Sequence, residues 1–213
     1  IRYLPAKPNC DAVQRDARKT EGLSELIIST DPPYYDNIGY SDLSDYFYVW
    51  MRRSLRKVFP KTFSTMLTPK SDELIATPYR FDGSQEKAKD YFESGMRETF
   101  VRLAKAASLN YPITVYYAYK QAESNDDGRT SSGWETMLQA LMDANLQITG
   151  TWPMRTERSG RTISVGSNAL ASSIVLVCRK RDENAPVATR PEFQRELRKS
   201  LREGVEDLQS GLI

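Results

Sequence analysis

Asp31, Pro32, Pro33 and Tyr34 set a carboxylate and a phenol three positions apart across two prolines. The carboxylate can accept hydrogen bonds from an amine, and the phenol offers a flat apolar face with a polar tip. The residues before them, Glu25-Leu26-Ile27-Ile28-Ser29-Thr30, form a short apolar, partly β-branched run that predicts a buried parallel strand. The prolines end that strand, because neither can donate to a ladder and each fixes its own φ. Asp31 and Tyr34 are thereby held at the carboxyl end of a strand, where open α/β sheets place their ligands. The bland alternative is a rigid turn containing Asp and Tyr by coincidence. Ordinary residue usage yields this tetrapeptide in a chain of such length only about once in a thousand, which weakens the coincidence.

Asp-Pro-Pro-Tyr behind an apolar strand resembles the catalytic motif of S-adenosylmethionine-dependent amino-methyltransferases, chiefly those that methylate adenine N6 in DNA. The run continues through Tyr35, Asp36, Asn37 and Tyr40 into Asp45-Tyr46-Phe47-Tyr48-Val49-Trp50, and is similar to a group of predicted adenine-specific DNA methylases. The resemblance spans residues 10–181 and takes in part of a methyltransferase domain. It implies a partial Rossmann-like α/β sheet, mostly parallel with an antiparallel last strand inserted between two neighbours, and helices on both faces.

The resemblance also implies roles. The Asp31 carboxylate and the Pro32 carbonyl would accept from the amine, Pro33 would stiffen the turn, and Tyr34 would stack on an extruded base. Asp16, Ala17 and Thr30 would lie on the cofactor side, with Asp16 near the cofactor adenine; an exposed turn aspartate is the competing reading of Asp16. Tyr35, Asn37 and Tyr40 are candidate substrate contacts. RNA guanine N2 or DNA cytosine N4 could be methylated by the same motif, and a non-catalytic nucleic-acid-binding module is the alternative outside enzymes.

Composition limits the chemistry. There is no histidine, which removes histidine triads, bases and metal ligands together. Cys10 and Cys178 are too far apart in sequence for metal-ligand spacing and make no disulfide framework, so no metal is expected. With 30 Lys+Arg against 28 Asp+Glu, a DNA partner has to be met by a local basic surface. No signal peptide and no stretch of about 18 apolar residues is present, so a cytoplasmic protein with no membrane partner is the default expectation.

The elements that must position the motif follow in order. Residues 11–18 read as a short strand turning at an acidic residue. Residues 41–57 read as a helix with Ser41 as N-cap, and its stripe of Leu43, Phe47, Trp50, Met51, Ser54 and Val58, widened by Tyr46 and Leu55, reads as core. Residues 59–83, with three prolines and no period, read as an insertion or lid at the catalytic face. Ser84 caps a helix to about residue 109; residues 112–119 are a strand; Ser132-Gly133-Trp134-Glu135 is a capping box for a helix to about residue 145, with Met137, Leu138, Leu141 and Met142 inward. Two further strands, 146–151 and 171–179, are joined by a connector carrying Arg155, Arg158 and Arg161. That connector reads equally as a solvated loop or as a phosphate contact.

The partial methyltransferase domain is expected over residues 1–182, followed over 183–213 by a linker and an amphipathic helix. The glycine-rich cofactor turn of the family is missing from this sequence. The chain is therefore expected to bind S-adenosylmethionine weakly or not at all by itself and to be inactive alone, with an upstream half of a parent chain completing the site. A half-sheet exposes a strand edge, to be covered by residues 1–9 or by a homodimer through that edge or the C-terminal helix.

Overall fold

The computed structural model describes residues 15–35, 39–119, 132–155 and 172–210. The chain divides into two compact units, Ile1–Lys180 and Arg181–Ile213. The first is α/β. Its elements are β1 (Ser29–Thr30), α1 (Tyr40–Leu55), a 3-10 turn (Pro78–Phe81), α2 (Gln85–Ala106), β2 (Ile113–Tyr119), α3 (Ser132–Asp143), β3 (Leu146–Arg155) and β4 (Ser172–Lys180). The second unit holds α4 (Arg190–Ser210), whose Phe193, Leu197 and Leu201 are exposed. Among the described residues no helix is long and apolar enough to cross a membrane.

The sheet has the order β1-β2-β4-β3. β1 pairs parallel with β2, while β4 pairs antiparallel with both β2 and β3. Three strands thus share one direction and only the last is reversed. By pairing, however, the sheet is mixed rather than mostly parallel, because the reversed strand stands between two others. A short α3–β3 connection makes this arrangement reachable. Asn145 takes a left-handed φ of 56°, ending the helix and turning the chain straight into β3.

The expected strand before the motif is cut short. Glu25 has a left-handed φ of 54°, and Leu26 makes an isolated parallel bridge to Ala107. The backbone then alternates: Leu26 bonds to Ala106 and Ser108, and Ile28 accepts from the Thr114 amide at 3.0 Å. Ile28 is buried but Ile27 is 70% exposed, so this is an edge strand with one covered face. Residues 15–18 make a turn rather than a strand, and 11–14 lie outside the described residues, as do 1–9.

One face of the sheet carries the core. Phe92, Met96 and Phe100 from α2 and Met137 and Leu141 from α3 pack with Val115, Leu176 and Cys178 of the strands. Ser84 caps α2 as expected, its side chain accepting from the Lys87 amide at 3.3 Å. Met142 is exposed, since α3 buries only the narrower stripe of Met137 and Leu141. The expected second layer of helices is absent among the described residues: Ile27, Tyr116 and Trp152, which alternate away from the core, are exposed. β3 also runs past its expected end, because Trp152–Arg155 keeps pairing with Val175–Ser172 of β4.

α1 reverses the expectation for its stripe. Ser41, Asp45, Tyr48 and Leu55 face inward or are partly covered, while Leu43, Phe47, Trp50, Met51 and Val58 are exposed. The N-cap is Gly39, with no side-chain cap, because the Ser41 hydroxyl is engaged with Glu73.

Candidate functional site

β1 carries the chain to Asp31 and the parallel ladder to β2 fixes where it ends. Pro32 is buried, which seats the turn, and Asp31 is exposed with no ion pair among the described residues. The Tyr34 hydroxyl donates to Asp31 Oδ1 at 3.1 Å. A carboxylate has about four acceptor sites, so Oδ2 keeps its capacity for an incoming donor. The Pro32 carbonyl accepts from no described backbone donor outside regular structure.

The Tyr34 ring is braced edge-on against Tyr117, with centroids 5.8 Å apart and an interplanar angle of 86°. Tyr117 in turn lies 5.7 Å from the Trp134 ring. Burial, followed by the charge and hydrogen bond of Asp31, pushes the Tyr34 phenol up to about 12. The phenols of Tyr40 and Tyr117 add to the rise, and Tyr40 itself is exposed at the start of α1. Tyr34 therefore stays protonated, a donor and not a phenolate, throughout the neutral range.

The loop leaving the motif is pinned. The Tyr35 carbonyl accepts from the Ala76 amide at 2.8 Å, and the Tyr35 ring stands edge-on to Phe92 at 5.2 Å. Tyr35, expected as a substrate contact, belongs to the core packing. Gly133 explains how α3 begins so near: a Cβ there would come within 3.0 Å of both the Tyr117 hydroxyl and Tyr35 Cβ.

The segment expected as an insertion or lid is tied to α1 by charge. Glu73 accepts from the Ser41 amide at 3.1 Å, from the Ser41 hydroxyl, and from Arg80 Nη1 at 2.7 Å. Arg80 Nη2 reaches Asp42 at 2.8 Å, and Tyr79 also donates to Asp42. Asp45 accepts from the Thr68 amide at 2.8 Å and from Lys70. The bonds from Lys70 and Thr68 hold Asp45 down to about 2. Burial alone would raise Glu73, yet Ser41 and Arg80 outweigh it and hold its carboxyl below the usual range. Phe63, Ile75 and Ala76 are buried, so the segment is anchored at several points along its length.

The cofactor-side candidates are not gathered into a cradle. Both oxygens of Asp16 are held by Arg18, through its amide at 2.9 Å and its guanidinium at 2.8–3.2 Å. Three N–H donors of Arg18, its Nε–H shared between the two oxygens, thus occupy most of the acceptor capacity of Asp16 and tie the carboxylate to its own turn. Ala17 is exposed in the same turn, and Thr30 is half-buried in β1. Asn37, Arg158 and Arg161 lie outside the described residues, and Arg155 is the terminal residue of β3, paired with Ser172.

Sequence reasoning missed Tyr117, Trp134 and Gly133. The alternation of residues 113–119 marks Tyr117 as facing one side with Ile113 and Val115, which was the available signal. The pairing of Glu73 and Arg80 with the start of α1 left no periodic trace. Compared with protein-family models, with curated proteins and with solved structures, the chain finds no match.

Proposed function

We propose that this chain carries the amine-binding side of an S-adenosylmethionine-dependent methyltransferase acting on the exocyclic N6 amine of adenine in DNA. The observation that carries the reading is Asp31. It is an exposed carboxylate at the end of a parallel strand, with no ion pair among the described residues, one oxygen held by Tyr34 and the other without a partner among those residues. The strand order β1-β2-β4-β3, with β4 reversed between its neighbours, supports it as well, since the resemblance predicts that insertion.

The described residues support the amine side of such a reaction more than the cofactor side, where Asp16 is engaged by Arg18. S-adenosylmethionine, when bound, would supply an electrophilic methyl. What this chain's residues do can be stated directly. The adenine amine is a poor nucleophile because its lone pair is delocalised into the ring. Asp31 Oδ2 and the Pro32 carbonyl, accepting its two N–H groups, draw the nitrogen toward tetrahedral geometry and stabilise the positive charge that develops on it. The buried Pro32 and the adjacent Pro33 fix the acceptors before the base arrives, so no reorganisation is needed. Tyr34 orients Asp31 through its hydroxyl and offers its ring to the base, a stack worth about 1–3 kcal/mol. That offsets part of the few kcal/mol needed to extrude the base from a duplex.

The test is nucleoside analysis after incubating the protein, as encoded by its gene, with labelled S-adenosylmethionine and DNA or RNA. N6-methyladenine from DNA is the expected product. Methylcytosine, a methylated RNA guanine, or no methylated nucleoside at all overturns the assignment.

A further inference from the structure

α1 is packed by its polar side. Ser41, Asp42, Asp45 and Tyr48 are engaged by the rest of the unit, Tyr48 being only 8% exposed with its ring tilted against Phe63 at 5.4 Å. On the opposite side Tyr46, Phe47 and Trp50 are 71%, 64% and 60% exposed, with Leu43 beside them. Their spacing puts them on one helical face. A contiguous aromatic patch of this kind marks a surface that is covered in use.

Its charge says by what. Arg53 places its guanidinium 5.9 Å from the Trp50 ring centroid, and Arg56 and Lys57 follow within the next turn. None of these three is ion-paired among the described residues. The acidic residues of the helix, Asp42 and Asp45, are taken up by Arg80 and Lys70. The outward face therefore combines three flat rings with cations and no free carboxylate. A second copy docking by the same face would bring the same cations against these, with the α1 carboxylates Asp42 and Asp45 already paired. A polynucleotide with unpaired bases supplies both complements, π-faces for the rings and phosphates for the cations. A duplex hides its base faces and would leave the rings uncovered.

We infer that the outward face of α1 is a binding track for single-stranded nucleic acid, with Trp50, Phe47 and Tyr46 as the stacking platform and Arg53, Arg56 and Lys57 on the phosphates. This rests on the proposed function and deepens it. α1 begins at Tyr40, six residues after Tyr34 in the chain, so the track follows directly on the motif and would hold the strand that flanks an extruded base.

The experiment is fluorescence anisotropy of a labelled thymine oligonucleotide of about twelve nucleotides, within the usual single-strand site size. Binding is expected to weaken at least about tenfold in Trp50→Ala, by loss of one stacked base. In Arg53→Gln the dependence of log affinity on log salt should flatten by about 0.7, one phosphate contact on a single strand. The blunt-ended duplex of the same length should bind more weakly than the single strand. Lys89→Gln, which removes a cation of α2 outside this face, should leave oligonucleotide binding unchanged. Equal binding by Trp50→Ala, a preference for duplex, or a Trp50-dependent dimer in sedimentation with no oligonucleotide binding each overturn the proposal. Parent-like methyl transfer by Asp31→Asn together with Trp50-dependent oligonucleotide binding by the parent would overturn the proposed function and leave this track standing.

Discussion

The hydroxyl of Tyr34 donates to Asp31 Oδ1 across 3.1 Å, within a turn whose two intervening prolines cannot relax. The bond aims the carboxylate and leaves its second oxygen for a substrate. Removing the hydroxyl and removing the ring should therefore have different effects. Tyr34→Phe loses one hydrogen bond to a charged group and should reduce methyl transfer by about tenfold, equivalent to about 1.5 kcal/mol. Tyr34→Ala also loses the stacking face, and should weaken binding of a 2-aminopurine-labelled target strand beyond the phenylalanine variant, by about 1–3 kcal/mol. Equal effects of the two changes would contradict the stacking role.

The same phenol predicts an alkaline limit. Its folded value of about 12 stands above the ordinary 10.0 of an unfolded tyrosine. Between those values the unfolded chain releases the proton while the folded chain keeps it, so stability falls as pH rises through that window. Denaturant midpoints measured from pH 9 to 12 should fall less in Tyr34→Phe than in the parent. An identical decline would contradict the assignment.

At the acid end the clamp on α1 gives the opposite sign. Asp42, Asp45 and Glu73 are all held below their ordinary values by Tyr79 and Arg80, by Lys70 and Thr68, and by Ser41 and Arg80. Their contribution is present above about pH 4 and is lost as pH falls toward about 2, because the unfolded chain takes up protons first. Hydrogen exchange of the α1 amides should accelerate in that window before exchange in α2 and β2 does. Simultaneous loss of protection everywhere would contradict a local clamp.

Glu73→Ala removes the common acceptor of Ser41 and Arg80 and leaves a largely covered guanidinium, 13% exposed, with Asp42 as its remaining carboxylate. Breaking a partly covered charge network of this kind should cost about 2–3 kcal/mol, visible as a fall in the thermal midpoint. An unchanged midpoint would show that α1 is held by other contacts.

Gly133→Ala tests how closely α3 approaches the motif. The added methyl would meet Tyr35 Cβ, which is fixed to the backbone, and the Tyr117 hydroxyl, each at 3.0 Å. Overpacking there should destabilise by about 1–3 kcal/mol despite the better helix propensity of alanine. A more stable variant would mean that the start of α3 can move freely away from Tyr35.

How much of this could be read from residue types follows from what each kind of signal reports. Asp31–Tyr34 was legible because proline punctuation is local and acts on any strand it follows. The buried stripe of α2 was legible because Phe92, Met96, Phe100 and Ala104 have a single apolar face and one place to put it. α1 was misread for a physical reason. Periodicity reveals that Leu43, Phe47 and Trp50 share a side, but not whether the protein or something else lies against that side. The decision was made by Glu73, Thr68, Lys70 and Arg80, which come from an aperiodic segment and grip the polar side. β3 ran on through Trp152 and Pro153 because β4 was long enough to pair with it, a nonlocal effect that the connector's own composition does not reveal.

The most direct measurement of the central claim is the yield of N6-methyladenine in DNA from the protein as encoded by its gene, compared with Asp31→Ala and Asp31→Asn. Both variants should fold as the parent does, since Asp31 is exposed and makes no ion pair among the described residues. The account predicts a fall of at least about 100-fold in both, the loss expected on removing a charge-stabilising acceptor at the reacting nitrogen. Turnover by Asp31→Ala within about threefold of the parent would contradict it.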